Sequence, residues 1–157
     1  MEVQVLNLKL DIFDEEVLKL SFDWLSDAEV KFLTKTPDLS REIQQNWFND
    51  LPSRKDYLVR SVKADNLAIG VFGLKKIDYN AREAEYFGYI GNKSYWGKGI
   101  GKWMLAKAIN LAQNKQLAKV YLNVIAENYV AINLYFKMGF KIISYTPNSY
   151  LMEKYLK

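Results

Sequence analysis

The chain of 157 residues contains no cysteine and no histidine. The first absence removes disulfides, thiolate nucleophiles, acyl-cysteine intermediates and cysteine metal sites. The second removes the commonest general base and metal ligand. Any catalysis must therefore use carboxylates, tyrosines, amides or water. Long apolar runs are also missing. The start, Met1 to Leu6, has neither the basic nor the apolar stretch of a signal peptide, and no segment is long and apolar enough to span a membrane. A cytoplasmic protein with no membrane partner is expected. Without linkers, repeats or low-complexity segments, residues 1–157 read as a single domain. Basic charge forms no stripe either: 22 Lys and Arg against 18 Asp and Glu leave +4 spread along the chain. Nucleic acid is not the expected partner. A mild basic excess suits a polyanionic cofactor or a nucleotide-bearing substrate.

What is present suffices for a sizeable core, with 50% hydrophobic and 15% aromatic residues. Glu2 to Leu10 reads as a strand, with a change of phase between Val5 and Leu6 that marks a bulge. Asp14 to about Lys35 supplies helical material, broken by Pro37 to Ser40. Ser40 then caps a helix that ends before Pro52. Tyr57–Ala64, Leu67–Ile77 and Ala84–Ile90 read as strands, the first two joined at Asp65-Asn66. Lys102–Leu117 is an amphipathic helix, Lys119–Ile125 a buried strand, and Tyr129–Met138 a helix closed by Gly139. Two strands about Pro147-Asn-Ser149 finish the chain.

The most telling stretch is Ser94-Tyr-Trp-Gly-Lys-Gly-Ile-Gly-Lys102, three alternate glycines running into a helix. Glycine lets backbone amides approach a ligand closely, and a helix start adds unpaired N–H groups and a positive dipole end. The spacing fits neither the P-loop nor the dinucleotide-binding fingerprint. A tight turn without a ligand stays open on these residues alone. One strand later, Asn128 and Tyr135 stand two helical turns apart on one face. Asn128 reads equally as a helix cap, and Tyr135 as a core aromatic.

Glu85 to Phe140 resembles the GNAT superfamily of acetyl-CoA-dependent N-acyltransferases. The resemblance rests on Trp96-Gly97-Lys98-Gly99-Ile100-Gly101, on Asn128-x-x-Ala131-x-x-x-Tyr135, and on Gly139-Phe140. Trp96 replaces the usual Gln or Arg, a variant familiar in the branch that resembles ribosomal-protein N-terminal and spermidine acetyltransferases. The resemblance implies an α/β fold of one domain, with a mixed, mostly antiparallel twisted sheet of about seven strands flanked by about four helices. Acetyl-CoA is the implied acyl donor, with no metal. Backbone amides of Trp96, Gly97, Lys98, Gly99, Ile100, Gly101 and Lys102 would cradle its pyrophosphate. Tyr89, Ile90 and Gly91 would pair with the pantetheine arm, which Asn128 would also bond. Tyr135 would protonate the departing thiolate.

Direct transfer to an amine needs a base, and Glu85 leads, with Glu127 second and a surface carboxylate paired to lysine as the structural alternative for Glu85. Tyr86 or Tyr89 would shape the acceptor pocket. Glu42 to Phe48 and Leu51 to Tyr57 resemble members that modify nucleotide sugars. The expected acceptor is thus a small-molecule primary amine, an amino sugar on a nucleotide carrier. A protein N-terminus and a polyamine are the alternatives, and the nearest acidic patch for a polyamine is Asp11, Asp14, Glu15 and Glu16. A non-catalytic acyl-CoA-binding module and a homodimer remain open.

Overall fold

A computed structural model describes residues 6–157. The phase change expected at Val5 lies outside them. Capping chemistry divides the first half. Asp14 accepts the Val17 amide at 3.0 Å and opens α1 (Glu15–Ser26), whose Glu15 and Glu16 oppose the helix dipole. The helical stretch expected to continue to Lys35 breaks at Asp27, an extended residue that accepts the Val30 amide at 3.1 Å and starts α2 (Ala28–Thr34). Ser40 caps α3 (Arg41–Asp50), as its sequence context indicates. The split at Asp27 is why the described residues form five α-helices where about four helices were expected.

The strands are β1 (Leu8–Asp11), β2 (Leu58–Ala64), β3 (Leu67–Asp78), β4 (Glu83–Ile90), β5 (Lys119–Ile125), β6 (Lys141–Tyr145) and β7 (Ser149–Tyr155). They form one sheet in the order β1-β2-β3-β4-β5-β7-β6. Every neighbouring pair is antiparallel except β4 and β5. Asp65 and Asn66 join β2 to β3 with φ of 49° and 70°, the left-handed pair that a tight hairpin requires.

Period-two alternation gives the sheet two packed faces. On one, Phe72, Leu74, Tyr86, Leu122 and Met152 pack with Met104, Leu105 and Ala108 of α4 (Ile100–Asn114) and with Ile132 of α5 (Tyr129–Lys137). On the other, Val59 and Val71 meet Val17 of α1, with Phe13, Trp47, Tyr57, Phe87 and Tyr89 around them. Each large apolar side chain so buried contributes about 1.5–3 kcal/mol. Parallel pairing of β4 with β5 stops after Glu83↔Lys119, Ala84↔Val120 and Glu85↔Tyr121. Beyond Glu85 the two strands diverge, and the sheet opens into a wedge at its centre.

Candidate active site

The open edge of β4 can be read from its register. Gly91 donates its amide to Ile69 of β3 at 2.8 Å, so Gly91 and Tyr89 turn their main-chain groups towards β3. Gly88 and Ile90, of opposite phase, turn theirs into the wedge. Of the three strand residues expected to meet a donor's arm, alternation therefore leaves only Ile90, and it adds Gly88. The Ile90 carbonyl is already taken, by the indole Nε1 of Trp96 at 2.8 Å. Side-chain space is absent here: a Cβ on Gly88 would lie 2.5 Å from the Tyr86 hydroxyl, and one on Gly91 would lie 2.0 Å from Trp24 Cδ2.

The wedge leads to the glycine loop. Gly97 and Gly99 have φ of 74° and 78°, and a Cβ on either would meet nothing within 4 Å. Gly101 differs, since its Cβ would lie 3.3 Å from Leu134 Cδ2; here glycine permits close packing of α4 on α5. The Trp96 amide donates to the Lys93 carbonyl at 3.1 Å, so Trp96 leaves the expected cradle as an amide donor. From Gly97 through Lys98, Gly99, Ile100 and Gly101 to Lys102, no backbone amide donates to another described residue. Asp14, Asp27, Ser40 and Asn128 cap the other helices, but Gly99 offers α4 no side chain and its first turn carries no acid. Lys98 and Lys102 stand at this loop outside any ion pair among the described residues.

Across the wedge, Asn128 Oδ1 accepts the Ala131 amide at 3.3 Å, so the carbonyl side of this carboxamide caps α5 and its NH₂ side stays available. Tyr135 lies half-buried, its ring 6.4 Å from Tyr86 and 5.8 Å from Phe140. Burial pushes its hydroxyl up to about 12, and that of Tyr86 well above the ordinary tyrosine range. Both phenols hold their protons at neutral pH. The α5 helix thus brings Asn128 and Tyr135 to the same side of the wedge, on the face opposite Glu85.

Glu85 sits where the strands part. Its residue is only 6% exposed, and its Oε1 has no hydrogen bond among the described residues. Lys76 Nζ lies 3.4 Å from Oε1, and Lys75 Nζ 3.6 Å from Oε2. Consecutive strand residues normally point to opposite faces. Here a bulge between Lys75 and Asp78, with Lys76 at φ 52°, turns both ammoniums to one carboxylate. The sequence reading missed this pair, because a left-handed lysine leaves no mark of the kind glycine does. Aromatics line the same face: Tyr57 lies 5.6 Å from Phe87 and 5.7 Å from Trp47. The Arg54 guanidinium lies 4.9 Å from the Tyr57 ring while pairing with Asp56 at 2.9 Å. Glu127, the second candidate base, is exposed just before α5.

An open β-edge running into an uncapped glycine-rich helix start is the arrangement on which the motifs converge, and family comparison agrees. Residues 19–140 match the acetyltransferase (GNAT) family. The chain belongs to that family. A spermidine N(1)-acetyltransferase from Thermoplasma acidophilum is 32% identical over 102 residues, 65% of this chain and 62% of that relative. The match thus spans less than two thirds of the relative's length. Among solved structures, spermidine N-acetyltransferase from Vibrio cholerae in complex with CoA and spermine superposes with a TM-score of 0.86 at 20% identity, covering 94% of this chain and 95% of that one. The N-acetyltransferase PseH from Campylobacter jejuni gives 0.74 at 19% identity, covering 96% and 99%. At these identities the structures establish the fold, the mixed α/β acetyltransferase fold expected from the motifs. No group of candidate metal ligands occurs among the described residues, and no helix there is long and apolar enough to cross a membrane.

Proposed function

We propose that this chain is an N-acetyltransferase that moves an acetyl group from acetyl-CoA directly to a primary amine, the acceptor being an amino sugar on a nucleotide carrier. One observation carries the donor half: the open edge at the Gly88 groups and the Ile90 amide leads into six consecutive amides, Gly97 to Lys102, without a partner among the described residues. That edge suits an extended arm with amide groups, added as a strand is added to a sheet. The amides, the dipole end and the free Lys98 and Lys102 suit a pyrophosphate. The Asn128 NH₂ adds a donor for the arm from the α5 side.

Acetyl-CoA supplies an activated acyl carbon, so the chain's main task is to place a neutral amine against it, a contribution of several kcal/mol. Glu85 takes the proton that the ammonium must lose, relayed through water to its buried carboxylate, whose Oε1 accepts no hydrogen bond from another described residue. The Gly88 amide, on the wedge side nearer Glu85, donates towards the oxygen that gains charge as the N–C bond forms. Tyr135 gives its proton to the sulfur as the C–S bond breaks, and the second proton of the attacking nitrogen returns through water to the Tyr135 oxygen, leaving the neutral amide. Base and acid thus stand on opposite faces of the wedge, with the reacting carbon between.

The acceptor assignment rests on the α1–α3 face. The aromatic wall of Trp47, Tyr57 and Phe87 suits a sugar ring, and Lys75 and Lys76 beside Glu85 favour an acceptor that carries negative charge. A polyamine is the second reading, favoured by the names of the relatives. Its acidic patch is partly spent, since Asp11 pairs with Lys63 at 2.8 Å and Asp14 caps α1. Glu15 and Glu16 remain exposed.

CoA thiol release tests both halves, and a chain without cysteine contributes no thiol background. The expected outcome is turnover of a nucleotide-linked amino sugar with kcat/KM at least about tenfold above spermidine. Preference for spermidine or for a peptide N-terminus would replace the acceptor. Binding of acetyl-CoA without release for any amine would make the protein a binding module.

A further inference from the structure

Trp96 stands where the family pattern carries a side chain that reaches phosphate, yet its ring turns the other way. Its indole N–H donates to Ile90 at 2.8 Å, the last β4 carbonyl directed into the wedge. A neighbouring bond fixes that direction independently: Gly91 N–H goes to β3, so the Ile90 groups must point away from it. The corner is tied from a second side. Lys93 Nζ lies 5.7 Å from the Trp96 ring, and it pairs with Asp27 at 2.9 Å and Glu29 at 3.0 Å. Asp27 is the cap of α2, and Trp24 of α1 packs directly on Gly91. The loop that begins at Gly97 is therefore hung from the end of β4 through one side-chain hydrogen bond, and it is braced against the helices of the acceptor face.

We propose that Trp96 is a positioning residue that fixes the height of the glycine loop over β4, so that one donor molecule engages the strand edge and the loop amides at once. The inference rests on the acetyl-CoA reading above. Trp96 touches no reacting atom. It sets the spacing between two grips, and linked grips reinforce each other only when both are reached in one geometry. Closing the Ile90 carbonyl also leaves the Ile90 amide and the Gly88 carbonyl as the edge an arm can use. A truncated donor, S-acetylpantetheine, reaches the edge but not the loop, so it is blind to the spacing.

The test compares acetyl-CoA with S-acetylpantetheine as donors for the native protein and for Trp96→Phe, which keeps an aromatic ring and removes the donor. Trp96→Phe raises KM for acetyl-CoA about five- to tenfold, the usual worth of one hydrogen bond. It leaves KM for S-acetylpantetheine within about twofold, so the preference for the full donor shrinks. An unchanged preference, or equal losses on both donors with a falling melting temperature, would overturn the proposal. Hydrogen exchange of the Trp96 indole in the native protein tests it without any variant: protection is expected, and exchange at the rate of a free indole would refute it. Failure of the native protein to bind acetyl-CoA removes the donor reading and this inference with it. Binding with an unchanged donor preference removes the inference alone.

Discussion

Tyr135 and Glu85 divide the proton work in the proposed mechanism, and each makes its own claim on the rate. Because burial holds the Tyr135 hydroxyl at about 12, it stays a proton donor across the working range and contributes no alkaline limb below roughly pH 11. Tyr135→Phe lowers kcat by about a hundredfold while acetyl-CoA affinity changes little. Glu85→Gln slows turnover while acetyl-CoA affinity changes little. A Tyr135→Phe loss shared equally between kcat and affinity would make that residue a packing aromatic, and an unchanged kcat in Glu85→Gln would clear it as the base. At this scale the sequence was most legible where chemistry imposes a residue type. Gly97 and Gly99 occupy left-handed positions, and Asn128 caps the helix that carries Tyr135. It was least legible for Lys75 and Lys76, whose joint approach to Glu85 depends on a backbone bulge, and for Trp96, whose meaning lies in the carbonyl it finds.

Elements were readable through their caps and their periods. Ser40, Asn128 and Gly139 mark helix ends as their types suggest, and the strand assignments from Tyr57 to Ile90 agree with the fold to within a residue or two. The break between α1 and α2 escaped because Ser26-Asp27 lacks proline or glycine and its flanks both suit a helix. Main-chain phase in β4 escaped as well: spacing identified the strand near the donor, but only pairing with β3 shows which residues face the wedge. Packing of α1 on this strand is tight. Gly91→Ala places a Cβ 2.0 Å from the Trp24 ring and is expected to lower stability by about 1–3 kcal/mol. Adding Trp24→Leu frees that space, so the double variant recovers part of the loss, read as a denaturant midpoint. Additive losses would mean that the two residues do not meet.

Across the whole molecule, the wedge places two kinds of surface on opposite faces. The α4–α5 face carries the glycine loop, Asn128 and Tyr135; the α1–α3 face carries Glu85, its lysines and the aromatic wall. Element order and the overall mixed sheet were legible, because two motifs one strand apart fix the centre of the fold. Acceptor chemistry was not, since the proposed acceptor face draws on side chains from α3, β3, β4 and Tyr57 just before β2 that only the folded sheet brings together. The central claim is that acetyl-CoA binds along the wedge and into the loop. Gly101 is a poor place to challenge it, because a new side chain there would first strike Leu134. Gly99 faces open space in a left-handed conformation, so Gly99→Glu puts a carboxylate at the loop and adds about 1–2 kcal/mol of backbone strain. Calorimetric titration of acetyl-CoA into the native protein and a folded Gly99→Glu variant is the most direct measurement. Micromolar-order binding that the substitution abolishes is the predicted result; a native protein that does not bind acetyl-CoA, or a variant that binds it equally well, would contradict the account.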